Sequence, residues 1–108
     1  MRMWMVDPRL MCRKHLLGEH VELHMLAASM RNGISLRGFF DNQLIETHNV
    51  GRRHEQLVRE MKRRGFRHAS PLTKLPRRHR RRVDRRANLV ELARRCGHCR
   101  KLQEKAKR

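Results

Sequence analysis

Tyrosine is absent from this chain, and three phenylalanines and one tryptophan are its only aromatic residues. A core with so few rings must be filled by leucine and by the seven methionines, which occupy gaps without tightly specifying shape. Acid is scarce as well: ten Asp and Glu stand against 28 Lys and Arg, a formal net charge of +18. No apolar run approaches the roughly 18 residues that a membrane-spanning helix needs. Asp7 and Pro8 interrupt the apolar start "MRMWMV" before a signal-peptide core can form. The three cysteines, Cys12, Cys96 and Cys99, are too few and too unevenly placed for a secreted disulfide framework, and they fit a reducing compartment. Internal repeats and strand-like alternation are also lacking, which removes solenoids and sheet folds. The expectation is a soluble, cytoplasmic protein.

What the chain does have is positive charge and helix punctuation. An excess of +18 repels itself and calls for a polyanion, and nucleic acid answers that need because phosphates release counterions on binding. At 108 residues the chain suits one domain with a modest core. Asp7 is a candidate cap for a first helix, Pro8 suits its first position, and Asn32-Gly33 supplies a left-handed stop. Leu16, Leu23, Ala27 and Met30 give that helix a buried stripe. Gly18 inside it costs roughly 1 kcal/mol against Ala, a cost that close approach of another backbone would explain. Residues 33–41 read as a loop. A second helix is expected from about Asn42 to Arg64, with Leu57, Val58 and Met61 inward and Gly65 as its end. After the connector "SPLTKLP" comes the Arg-rich stretch 77–86, then a third helix over "RANLVELARR" with Asp84 as cap, then a polar tail expected to fray. The resulting expectation is an all-α, compact three-helix bundle with basic loops and tail.

The stretch "HLLGEHVELH", His15 to His24, concentrates chemistry in ten residues. On a helix, His15, Glu19 and Glu22 fall within about 60° of one another, while His20 and His24 sit at i, i+4 on another stripe. A zinc protease needs H-E-x-x-H, and the order here is H-x-E-x-H. His20 and His24 could hold a metal only with ligands from elsewhere; a solvated polar stripe is the plainer reading. A third reading is catalytic: a carboxylate retained in a DNA-binding surface has a purpose if cationic character develops on the substrate, as it does when a glycosidic bond breaks. Cys96-Gly-His-Cys99 has the spacing of half a zinc site and also of a thiol–disulfide motif. Zinc would require two further ligands from His79, His98 or Cys12. A redox enzyme would want an α/β pattern that is absent, and an ordinary helix end is the default.

The order "MRMW", "HLLGEHVELH", "RNG", "RHEQLVREMKRRGFRHASPL" resembles the pyrimidine-dimer DNA glycosylase family of the phage endonuclease V type, over residues 1–72 of a single domain. The Arg-rich segment and the C-terminal helix and tail (87–108) lie beyond it. The resemblance implies a compact three-helix enzyme that cuts double-stranded DNA at cyclobutane pyrimidine dimers as an N-glycosylase with AP lyase activity. It implies a monomer of bacterial or phage origin, associated with the nucleoid and needing no cofactor. The family's nucleophile is the α-amine of the mature chain, followed by arginine, and in this register they fall on Met1 and Arg2. The catalytic glutamate falls on Glu22, the supporting helix-one histidine on His15, and a supporting glutamate on Glu19. Arg2 also blocks removal of Met1, which preserves the register. This chain departs from the family at Val21 and Met25, where the best-studied type has DNA-contacting arginines, and in lacking that type's aromatic C-terminal segment. Phosphate contacts are expected from Arg2, Arg52, Arg53, Lys62, Arg63, Arg64, Arg77, Arg78, Arg80, Arg81, Arg82, Arg85 and Arg86. Alternatives are a non-enzymatic DNA-binding protein of the same fold and a basic RNA-binding or ribosome-associated protein.

Whichever reading holds, affinity for undamaged duplex DNA should be high at low salt and fall steeply towards physiological salt, since each phosphate neutralised releases counterions. Affinity that does not change across a salt titration would contradict the assignment of phosphate binding to this charge.

Overall fold

In a computed structural model, residues 1–68, 70–72 and 82–107 are described. Among them the structure is entirely helical: α1 (Arg13–Arg31), α2 (Arg37–Asp41), α3 (Val50–Arg63), α4 (Arg85–Arg95) and α5 (Gly97–Ala106). The helical class is as expected, but there are five helices rather than three. The segment 33–41, read as loop, closes into α2, and the polar tail forms α5 instead of fraying. α3 begins at Val50, eight residues after the expected start, because residues 42–49 cross the molecule as an irregular segment and a 3-10 turn at Thr47–Asn49. Asp7 and Pro8 also do something other than start α1. The Asp7 carboxylate accepts from the Arg9 amide at 3.0 Å and caps a 3-10 turn, Pro8–Leu10, so α1 starts only at Arg13.

α1 packs against α3, and α5 packs against α4 and the Pro8–Leu10 turn. The anticipated apolar positions Leu16, Leu23, Ala27 and Met30 are buried on α1, as are Leu57, Val58 and Met61 on α3. Gly33 (φ 66°) and Gly65 (φ 84°) end α1 and α3 in the left-handed region that glycine tolerates. Gly18 admits no close backbone: a Cβ there would meet nothing within 4 Å.

The opening segment, apolar but too short for any regular element, is threaded through the middle. Met3, Trp4, Met5 and Val6 are all buried. Their backbone groups find partners on every side, as buried amides and carbonyls must. The Met3 amide donates to Leu44 O at 2.7 Å. Asn88 Nδ2, from α4, donates to Met3 O at 3.2 Å and Trp4 O at 2.9 Å. Arg53 Nη1 donates to Val6 O at 2.7 Å. Met5 takes φ 56°, a conformation rare for a residue with a Cβ, which these contacts on both sides hold in place.

Two buried acids complete the frame. Glu19 receives Arg53 in a two-pronged contact, Nε at 2.6 Å and Nη2 at 2.9 Å, with both side chains closed to solvent. Burial raises the Glu19 carboxyl above the ordinary range, against the Arg53 fork and the Trp4 backbone, which favour the charged form. Glu46 accepts from Asn49 Nδ2 at 2.8 Å and from the Val83 amide at 3.0 Å, which fastens the chain entering α4 to the body.

Arg53→Met should strand the Glu19 charge in the core and cost about 3–5 kcal/mol, whereas Glu19→Leu/Arg53→Met should cost much less because it removes both charges together. Urea denaturation of the two variants tests this; equal losses would show that the pair matters only as packing volume.

Candidate active site

The site forms where the N-terminus crosses α1. The Arg2 amide donates to Glu22 Oε2 at 3.3 Å. Met1 is the preceding residue, half-buried and packed on the core, so its α-amine is held within one peptide unit of that contact. Glu22 is half-buried on α1 and reachable from solvent. The Arg2 guanidinium lies over the Trp4 ring at 4.1 Å, and its Nη2 donates to Asn88 Oδ1 at 2.8 Å. Among the described residues its buried Nε has no hydrogen-bond partner. Burial, and then the nearby Arg95 charge, lower the Arg2 pKa from its ordinary value. One asparagine on α4 thus holds both the Arg2 side chain and the backbone carbonyls on either side of Trp4. No local sequence pattern marks Asn88 or Trp4, because both act only across the fold.

The other expected site residues divide. Glu19, one turn from Glu22, faces inward to Arg53 and is sealed off, so the expected Glu19–Glu22 face is split between core and surface. Arg53 is correspondingly withdrawn from the expected DNA contacts: it is 1% exposed and saturated by Glu19, Val6 O and Gln56. Arg64 is withdrawn too, bonding Pro8 O at 3.0 Å, Met11 O at 2.7 Å and the Glu60 carboxylate at 2.6 Å. Arg63 shares Glu60 yet is largely exposed, and Arg52, Lys62, Arg82, Arg85 and Arg86 are exposed. Arg77, Arg78, Arg80 and Arg81 lie outside the described residues, as does His79.

Among the described residues two clusters of possible metal ligands form, each with all its donor atoms within 4.8 Å. In the first, His15 turns its Nδ1 to Cys12 Sγ (3.2 Å) and Cys99 Sγ (3.7 Å), beside Cys96. Burial lowers the His15 pKa, with Lys14 and Arg95 adding to it, which favours the neutral ring. Burial pushes the Cys99 thiol up to about 12. In the second, His54 of α3 and His68 join His20 and His24, with ring centroids about 5 Å apart. His20 and His68 share a contact of 3.0 Å between Nε2 atoms, and among the described residues His24 Nε2 is buried with no hydrogen-bond partner. The i, i+4 spacing of His20 and His24 marks them as a pair; His54 and His68 come from elsewhere in the chain and carry no spacing signal.

Fold and site together define a small, all-helical, strongly basic protein that fastens its own N-terminus beside a helix-borne carboxylate. Residues 1–74 match the pyrimidine dimer DNA glycosylase family, a family of DNA-repair glycosylases, and the chain belongs to it. The match ends before α4 and α5. No curated protein and no solved structure matches the chain. No helix among the described residues is long and apolar enough to cross a membrane.

Burial drives the His20 pKa down to about 4, with His54, His24 and His68 adding positive charge nearby. Unfolded histidine takes up its proton near 6.5, so between pH 6.5 and 4 the unfolded chain binds protons that folded His20 refuses. Stability present at neutral pH should therefore be lost progressively as pH falls through that window. Melting temperatures measured with a chelator present should show the loss, and His20→Gln should make it shallower. A melting temperature unchanged from pH 6.5 to 5 would contradict the burial of neutral histidine.

Proposed function

We propose that the protein is a bifunctional DNA glycosylase and AP lyase acting on cyclobutane pyrimidine dimers in duplex DNA, with the α-amine of Met1 as nucleophile and Glu22 as the catalytic carboxylate. The observation that supports this most is the contact of the Arg2 amide with Glu22 at 3.3 Å, in a terminal segment tied down by Leu44, Asn88 and Arg53. A disordered terminus is the ordinary expectation for a chain end; this one is anchored beside a carboxylate.

An α-amine is the least basic aliphatic amine in a protein, which suits it better than a lysine to attack as the neutral nucleophile. The Met1 nitrogen bonds to the sugar C1′ as the C1′–base bond breaks and the base departs with its electron pair. Glu22 offsets the cationic character on the sugar and carries protons. Opening of the sugar ring leaves a Schiff base at C1′. Loss of a C2′ proton then expels the 3′ phosphate and breaks the strand. Arg2, stacked on Trp4, stands beside the lesion. Glu19 supports from the core by holding Arg53, and through it Val6, in place. Exposed Arg52, Lys62, Arg63, Arg82, Arg85 and Arg86 bind phosphates, joined by Arg77, Arg78, Arg80 and Arg81 on the ground of charge alone. Access to C1′ requires a base turned out of the stack. This chemistry needs no metal or nucleotide cofactor. The protein would act as a monomer on chromosomal DNA.

Glu22→Gln keeps the shape of the side chain and removes its charge, so DNA binding should persist while base excision falls at least about a hundredfold. Borohydride added during turnover on UV-irradiated DNA should reduce the Schiff base and leave protein covalently attached, with the adduct on the N-terminal peptide. An N-terminal extension should abolish trapping and leave binding intact. An adduct on Lys14, or full activity with a blocked terminus, would remove Met1 from the mechanism. Tight binding without excision or trapping on dimer-containing and abasic DNA would favour a non-enzymatic binder.

A further inference from the structure

We propose that Cys12, His15, Cys96 and Cys99 form a structural zinc site that clamps the C-terminal helix pair onto the start of α1. The four residues fall in two pairs of identical spacing, Cys12-x-x-His15 and Cys96-x-x-Cys99. Each pair straddles a helix start, that of α1 or that of α5. Two such turns facing each other bring four donors to one point, the arrangement that closed zinc sites use.

Distances agree with one ion. Zinc bonds of about 2.3 Å to sulfur and about 2.0 Å to nitrogen put tetrahedral ligands about 3.5–3.8 Å apart. Cys12 Sγ and Cys96 Sγ are 3.8 Å apart, and Cys99 Sγ and His15 Nδ1 are 3.7 Å apart. The Cys12–His15 edge, at 3.2 Å, is shorter, and all donors lie within 4.8 Å of one another. No disulfide competes, since all three cysteines are free. Backbone amides already point at the sulfurs: Cys12 N–H at Cys99 Sγ (3.2 Å) and Cys99 N–H at Cys96 Sγ (3.5 Å). Such donors stabilise thiolates, as do helix N-termini.

Binding would release three thiol protons to solvent and take imidazole neutral. Three thiolates, one imidazole and Zn²⁺ leave a net charge of −1, which a chain of +18 accommodates. Four protein ligands leave no open position, so the site is structural rather than catalytic. Its ligands come from both sides of the family boundary, two within residues 1–74 and two beyond it. The clamp therefore holds α4, and with it Asn88, against the N-terminal segment. The His15 ring also meets Trp4 edge-on, with centroids 6.0 Å apart, and the same Trp4 ring carries the stacked Arg2. None of this requires the chain to be a glycosylase.

The full chain, purified under reducing conditions, should contain one zinc per chain by elemental mass spectrometry. Cobalt(II) added to the metal-free chain should produce tetrahedral ligand-field bands and a near-ultraviolet thiolate-to-cobalt charge-transfer band. One equivalent of zinc should bleach both and protect the cysteines from alkylation. Cys96→Ser/Cys99→Ser should lose the zinc and the charge-transfer band. If that variant does not fold, the cobalt titration and alkylation protection of the wild-type chain still decide. A cobalt spectrum without thiolate charge transfer, alkylation rates indifferent to zinc, or a metal that survives in the serine variant and follows His20, His24, His54 and His68 would each overturn the proposal.

Discussion

The buried pair of Glu19 and Arg53 holds the molecule in register. Its two hydrogen bonds join α1 to α3, and the third guanidinium nitrogen, Nη1, donates to Val6 O in the N-terminal segment. Three parts of the chain that share no local sequence relation are thereby fixed at one point. An isolated charge at such depth would be costly, and only complete pairing makes it tolerable. That pairing is also geometrically strict, because the planar fork accepts one orientation of the carboxylate. The terminal segment then has one path through the core, and Met1 and Arg2 emerge beside Glu22.

Acid is used sparingly and by position. Three of the ten carboxylates, Glu19, Glu46 and Glu60, are buried and spent on holding elements together. Glu22 is different: half-buried, on the turn that faces the terminus, and bonded only weakly to a backbone amide. Removing Arg53 and Arg64 from the solvent-facing cations leaves a basic surface narrower than the arginine count suggests. The same two residues, as ties to Val6, Pro8 and Met11, shape the ground on which the terminus rests.

The C-terminal helices have a role that neither charge nor family boundary suggests. α4 supplies Asn88, which bonds Met3, Trp4 and Arg2, while α5 carries Cys99 to the start of α1. A segment outside the family match thus buttresses the site inside it.

By itself the sequence determined the helical class, the glycine stops at Gly33 and Gly65, the inward stripes of α1 and α3, and, through family register, the nearness of Glu22 to the N-terminal residues. These follow from periodicity, turn chemistry and motif order, all of which act over a few residues. Tertiary structure alone decided which polar residues are buried. Glu19 and Glu22 sit three apart on one helix and look alike in sequence, yet α3 covers one and leaves the other open. Arg53 and Arg52 are neighbours with opposite fates for the same reason. The spacing of Cys12 and His15 was legible in the chain, but its match to Cys96 and Cys99 depends on a contact between helix starts more than eighty residues apart. Long-range pairing of this kind leaves no trace in local pattern, because its energy arises only once the elements have met.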